Sequence, residues 1–331
     1  MRINYADCLD QLDLALDQLC MKEANYHRFA LMLVDNVVEL ALHDLAERKN
    51  INQINSQKNG NAPTINKEII AEALGRKFDK KVRLARLDNI LSHDQSDSIN
   101  ILHKLRNITY HQGILQEKII REITIFYLKL ACNIFIKTST SQYSRYPKSQ
   151  FSTRAIKYLG INGTIMFNSA FIRVLEVATS LKENLVSALS ASMSDIIEET
   201  NEHLNFLEKN WPGTLSRDQI ILECQTWHFA FTKNASDFAK RNKCDSKSLN
   251  DYLAWLKDSY KWETKCDPIP AWRDKLERLT AESNAHKALS TYHHFIESTS
   301  DLREVIYSTM CTLEVRLEED SDNQRDLKAA P

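Results

Sequence analysis

Glycine and proline are scarce, with six of each in 331 residues. Glycine supplies the positive φ of tight turns and proline punctuates loops, so this chain is poorly equipped for many short strands joined by hairpins. A sandwich or barrel is disfavoured. The abundance of Leu, Ala, Lys and Glu predicts an all-α fold. The seven cysteines include no close pair, Cys8 and Cys20 being nearest. That dispersed, odd set predicts reduced thiols and a cytoplasmic setting, with neither a disulfide framework nor a zinc site. The opening residues carry Asp7, Asp10, Asp13 and Asp17 and do not resemble a signal peptide. The longest apolar stretch, Ile119 to Ile136, is interrupted by Arg121, Glu122 and Lys129. It reads as a buried helix and not a membrane span, so no membrane partner is expected. No Walker loop, dinucleotide fingerprint or nucleophile elbow occurs, and no cofactor is expected.

Charge is plentiful and uneven. The net charge is −1, yet residues 1–157 hold 23 Lys or Arg against 17 Asp or Glu, and residues 158–331 hold 20 against 27. The first part contains a dense basic segment with Arg76, Lys77, Lys80, Lys81, Arg83 and Arg86. A second stretch interleaves Arg145, Lys148, Arg154 and Lys157 with Tyr143, Tyr146, Phe151 and Tyr158. Cations beside aromatic rings suit single-stranded RNA, through phosphate attraction and base stacking. The plainer alternative is a solvated helix face and an ordinary loop.

The periodicity predicts helices over residues 3–22 and 24–48. In the second, Phe29, Leu33, Val37, Leu40 and Ala41 are expected to pack one way. Asp35, Glu39, His43 and Glu47 recur every four residues on another face. That polar stripe either lines a catalytic cleft and orients a histidine, or is a solvated face with local ion pairs. Residues 50–66 read as an Asn/Gln-rich loop. A short helix over 66–78, the basic segment, a helix over 98–110 and an apolar helix over 114–138 follow. The Ser/Thr-rich run from Thr138 marks a linker, giving domains at 1–140 and 161–331 with residues 141–160 between them. Later helices are expected over 165–209, with an interruption allowed, and over 216–242, 246–262, 270–297 and 299–319. All five tryptophans fall in this second part, as core or interface packing or as a base-stacking pocket. His286, His293 and His294 lack the spacing and companions of a metal site, and no metal is expected.

One segment carries a chemical pattern. Arg106-Asn107-Ile108-Thr109-Tyr110-His111 ends the helix over 98–110 just before Gly113. Arg86 and His93 show similar spacing, but Leu87 follows that arginine in place of a polar residue. On a helix, Ile101, Leu102, Leu105 and Ile108 form one apolar stripe, with Arg106 and His111 on opposite flanks roughly 140° apart. A guanidinium holds a phosphate and an imidazole moves protons near neutral pH, a pairing suited to cleaving RNA without a metal. The wide angle favours a site completed by a second copy, or by distortion of the last turn.

Leu105-Arg106-Asn107, three residues, then His111-Gln112-Gly113 resembles the arginine–polar–histidine motif of the HEPN superfamily, all-helical domains of prokaryotic toxins and abortive-infection proteins. The resemblance covers roughly residues 5–140, including the long helical stretches on either side of the motif. It implies a dimeric, metal-independent endoribonuclease with Arg106, Asn107 and His111 as catalytic residues. It also implies a phage-defence or toxin–antitoxin setting, RNA as substrate, a homodimer or larger even oligomer, and an antitoxin or regulatory protein as a further partner. The C-terminal part is then a regulatory or assembly domain. The alternatives are a non-catalytic helical RNA-binding or protein-interaction scaffold, and a sensor subunit whose acidic part binds a partner.

Overall fold

The computed structural model describes residues 4–58, 65–112, 117–139, 151–159 and 166–329, with side chains at all of these except 56–58, 110–112 and 322–329. Among the described residues there are fourteen α-helices and no strand. No described helix is long and apolar enough to cross a membrane. The chain divides into two compact units, Met1–Ser192 with Glu282–Thr291, and Met193–Ala281 with Tyr292–Pro331.

The N-terminal unit is organised around α2 (Ala24–Lys58) and α6 (Glu117–Thr138), which pack along each other. α6 buries residues on every side, from Ile119 through Phe126 and Leu130 to Phe135, the signature of a central helix. Its charges sit at its margin, where Lys129 reaches Glu183 at 2.5 Å and Arg121 reaches Glu122 at 2.7 Å. α1 (Tyr5–Leu19) lies against α2 and presents Leu9, Leu12, Leu16 and Leu19 inward, and the Asn4 side chain caps its first turn. α3 (Lys67–Ala73) and α4 (Phe78–Leu87) form a pair on α2, and α5 (His93–Gln112) fits against α2, α4 and α6.

Three features differ from the sequence expectation. α2 runs to Lys58, so residues 50–58 are helical where a loop was expected. The buried face of α2 comprises Ala30, Leu31, Val34, Val37, Val38, Ala41 and Leu42, with Phe29 56% and Leu40 39% exposed. The unit also continues past residue 140. The first half of the expected linker, residues 141–150, lies outside the described residues, but α7 (Thr153–Leu159), in its second half, and α8 (Phe167–Ser180) pack on α1 and one another, and α8 also lies along α6. Aromatic rings explain this attachment. Phe171 stacks on Phe135 at 4.2 Å, and Phe167 meets Tyr5 at 5.0 Å.

Polar contacts fix α7 to α1. Buried Asp13 accepts from Lys157 at 2.8 Å, from the Tyr158 hydroxyl at 2.5 Å and from Arg154 at 2.7 Å. Burial opposes the charge of Asp13, but these three donors outweigh it and hold its carboxyl below the usual range. The described cations of the second basic–aromatic stretch, Arg154 and Lys157, are therefore paired with Asp13 while remaining partly exposed. Arg145, Lys148, Tyr143 and Tyr146 lie outside the described residues.

The segment returning to this unit supplies His286, whose Nδ1 is 2.8 Å from Ser98 Oγ and whose ring meets Phe126 edge-on at 5.1 Å. Burial pushes the His286 imidazole below its usual range, against a smaller opposing pull from Asp94. A histidine kept neutral by the fold takes up its proton more readily when unfolded, so its contribution is present above about pH 6.5 and lost on acidification. Asp13 acts in a lower window, its contribution disappearing as pH falls through its depressed folded value. Thermal denaturation is expected to give a falling Tm between pH 7 and 5.5, with a shallower fall in His286→Gln. An identical pH slope in the variant would remove this histidine from the account.

α9 (Leu185–Asn210), which belongs to the C-terminal unit from Met193 on, is separated from α8 at Lys182, whose φ of +44° breaks the helix. It ends before Trp211-Pro212-Gly213, where Gly213 adopts φ +92°, a conformation that favours glycine. α10 (Arg217–Ala230) begins with a capping box between Ser216 and Gln219. α11 (Lys233–Arg241), α12 (Leu249–Ser259) and α13 (Ile269–Thr280) follow; the helix expected over 270–297 is broken after α13, and α14 (Ala285–Ala329) joins its second part to the one expected over 299–319. Trp262 lies beyond the end of α12 and packs with Phe229 and Tyr260, while Trp272 packs on Phe295.

Candidate functional site

α5 carries Arg106 and Asn107 toward the N-terminal half of α2. Its apolar side, Ile101, Leu102 and Leu105, is buried as the periodicity predicts. Ile108, on the same stripe, is 40% exposed, so the core gives out before the helix does. This end of α5 is therefore available at the surface. The backbone of His111 belongs to α5 and its side chain lies outside the described residues.

The centre of the site is Asp35 of α2, a carboxylate with 0% exposure. Three side chains converge on it. The Tyr127 hydroxyl of α6 donates to Oδ1 at 2.9 Å. His103 Nδ1 lies 3.0 Å from Oδ1 and 3.1 Å from Oδ2. Arg106 Nε lies 3.1 Å from Oδ2 in an ion pair. An isolated buried carboxylate costs several kcal/mol, and this one is sustained by partners from two helices. Burial pushes the Tyr127 phenol well above its ordinary range and the neighbouring Asp35 charge adds to this, so Tyr127 keeps its proton and remains a donor.

The network constrains the two residues on α5. An ionised carboxylate only accepts, so His103 Nδ1 is the donor of this pair. The His103 ring is stacked 3.8 Å above Phe78, nearly parallel at 6°. For Arg106, Asp35 lies beside Nε as an ion pair without hydrogen-bond geometry, while Nη1 donates to Asn107 Oδ1 at 2.8 Å. The guanidinium is thus held between a buried carboxylate and a neighbouring amide oxygen. Asn107, expected to orient His111 or contact phosphate, is seen positioning Arg106.

Arg106 and Thr109 form one wall of a groove of ≈130 Å³, and Asn25, Arg28, Phe29 and Met32 of α2 help form the other. This is well below the roughly 300–1,000 Å³ of pockets that enclose a whole small molecule. Two guanidiniums face it, that of Arg28 being tied to Asn25 at 3.0 Å and Glu117 at 3.3 Å. Exposed Phe29 sits at the same groove. A fixed pair of cations beside an exposed ring provides for a phosphate and a stacked base.

The structure separates the members of the expected basic patch. Lys81 is buried and donates to Glu39 at 2.7 Å, a bond that joins α4 to α2. Lys80 and Arg83 lie 3.5 Å and 3.6 Å from Glu72. Arg76, Lys77 and Arg86 are exposed. The patch thus reduces to a few surface cations, and Lys81 is a structural one. The polar stripe divides similarly. His43 pairs with Glu47 one turn on at 3.6 Å, as local ion pairing predicts, whereas Glu39 binds Lys81 of α4 and Asp35 is wholly internal.

Sequence reasoning missed His103, Tyr127 and Arg28, and left the place of Asp35 open. The available signal was local: Asp35 follows Leu33-Val34 and precedes Asn36-Val37-Val38, an acid embedded in aliphatics. Among the described residues, no group of three His, Cys, Asp or Glu side chains has the arrangement of a metal site. His293, one of the histidines weighed for a metal, lies 3.0 Å from Glu297 one turn on.

Comparison with protein-family models, curated proteins and solved structures gives no match.

Proposed function

We propose that this chain is a metal-independent endoribonuclease of the HEPN type, serving as a toxin or in antiviral defence. The carrying observation is the fixed Arg106 guanidinium, clamped between buried Asp35 and Asn107 and facing a groove shared with Arg28 and Phe29. A phosphodiester in the groove is held by the guanidiniums, and Phe29 offers a ring to a flanking base. His111 removes the ribose 2′-OH proton. The 2′ oxygen forms a bond to phosphorus, the bond from phosphorus to the 5′ oxygen breaks, and the departing 5′ oxygen takes up a proton. The products are a 2′,3′-cyclic phosphate and a 5′-OH end. Arg106 acts where negative charge builds on the phosphorane oxygens.

Assembly forms part of the proposal. Positions 106 and 111 are roughly 140° apart around a helix axis, so two copies would bring an arginine and a histidine to one phosphate more readily than one does. Ile108 beside His111, and Phe29 and Tyr26 on α2, are apolar and exposed, as a surface covered by a second copy would be. A homodimer is expected by light scattering at micromolar concentration. A strict monomer that cleaves at full rate would falsify the composite site.

The reaction uses a guanidinium and an imidazole, so cleavage of total RNA should persist in excess EDTA and leave cyclic-phosphate ends. Activity that appears only with added magnesium or manganese, or ends carrying a 5′-phosphate, would contradict the mechanism. Salt-sensitive RNA binding without cleavage would instead indicate a helical RNA-binding scaffold.

A further inference from the structure

The C-terminal unit holds a larger concavity that the ribonuclease reading leaves without a role. It encloses ≈510 Å³ between α10, α12 and α14, beside the Trp211-Pro212 turn. That volume lies within the range of about 300–1,000 Å³ that accommodates a whole small molecule. Two indoles, Trp211 and Trp227, line it, and Trp227 is 45% exposed although large aromatic side chains are ordinarily well covered.

The polar lining is ordered along α14. Ser308, Thr312 and Arg316 recur every four residues and so share one side of the helix, about 6 Å apart per step. The Thr312 hydroxyl donates its proton to the Ser308 carbonyl at 2.9 Å, and neighbouring Thr309 does the same to Val305 at 2.8 Å. Thr312 therefore presents oxygen lone pairs, acceptors suited to sugar hydroxyls, whereas the Thr309 hydroxyl is also shared with the buried Cys224 thiol. One turn further, Arg316 offers a guanidinium. Across the cavity Lys257 is bound to Glu223, so these two cancel and Arg316 leaves the lining with a positive excess. Asn250 adds an amide able to donate and accept at once.

We propose that this cavity binds a nucleoside phosphate. The base stacks against Trp227, with Asn250 reading its polar edge. A ribose hydroxyl donates to the Thr312 oxygen, and the phosphate pairs with Arg316. The spacing supports this order, because ribose and phosphate are adjacent in a nucleotide as Thr312 and Arg316 are on α14. A cationic ligand would meet the surplus guanidinium, and an aliphatic acid would leave the indole wall unused. The binding is separate from the RNA groove and does not depend on the cleavage reading.

Calorimetric titration of the full-length protein with AMP tests it. AMP is expected to bind with a Kd below ~1 mM, and adenosine and inorganic phosphate each at least ~10-fold more weakly, since each keeps only part of the contact set. Trp227→Ala and Arg316→Glu alter exposed side chains, and each is expected to weaken AMP binding ~10-fold or more at unchanged Tm. Arg106→Ala is expected to leave it unaltered. The proposal fails if none of AMP, GMP, CMP and UMP gives a binding heat at ~5 mM, roughly five times the expected limit. It fails equally if binding survives both C-terminal substitutions, or if Arg106→Ala abolishes it, which would place the nucleotide in the N-terminal groove.

Discussion

Replacing Arg106 with alanine is expected to lower RNA cleavage by about 10²–10³-fold, the effect of removing one preorganised donor from a developing oxyanion. The loss should fall mainly on kcat, because the cation matters most when charge accumulates on the phosphorane. Asp35 would keep Tyr127 and His103 as donors, so the helical fold should persist and far-UV circular dichroism should change little. Arg106→Lys sharpens the test. Lysine keeps the charge, but its single ammonium cannot engage Asp35 through Nε and Asn107 through Nη1 as the arginine does. Activity between wild type and alanine is expected. His111→Ala should cost about 10²–10⁴-fold, as for other proton-transfer groups. Initial rates on a labelled oligoribonucleotide measure all three, and wild-type rates in both alanine variants would end the assignment.

Removal of the Asp35 carboxylate is expected to have the largest combined effect on stability and activity. Asp35→Ala leaves the Tyr127 hydroxyl, the His103 Nδ1 proton and the Arg106 guanidinium without their shared acceptor in a site closed to water. Breaking a buried charge pair in this way costs about 3–5 kcal/mol. For a unit of this size that corresponds to a Tm lower by roughly 6–20 °C. Asp35→Asn preserves the shape but turns an amide donor toward other donors, and should also be destabilising. Cleavage should fall in both variants at temperatures where they remain folded, because Arg106 loses its clamp. A folded Asp35→Asn protein with unchanged Tm and unchanged kcat would show that the convergence on Asp35 is incidental.

The sequence makes some of this readable and withholds the rest for identifiable reasons. Helices were legible because the apolar residues of α1, α5 and α6 recur at helical spacing and few glycines or prolines interrupt them. Arg106 and Asn107 were legible because they are adjacent in a compact pattern. Asp35 belongs to a different helix, 68 positions before His103 and 92 before Tyr127, so local periodicity cannot report their convergence. The pattern also assigned Phe29 to the core, since an aromatic at helical spacing is ordinarily buried. The structure instead leaves it at the edge of the Arg106 groove. Composition marked Lys81 as one of a basic group, but only the proximity of α4 to α2 reveals that Glu39 neutralises it. The attachment of α7 and α8 was hidden behind a polar stretch that reads as a linker, because the rings that hold α8 lie on either side of it.

The N-terminal unit is discontinuous in sequence, taking Glu282–Thr291 as well as the residues up to Ser192. A nascent chain emerges from the ribosome in order, so this unit is incomplete until nearly all of the protein has been made. Until then Ser98 and Phe126 lack the His286 ring that meets them in the finished fold. A truncated or prematurely released product carries the Arg106 motif in a scaffold missing a piece of its packing. Fusion or genetic transfer of residues 1–192 alone would likewise move the motif without its last supporting segment.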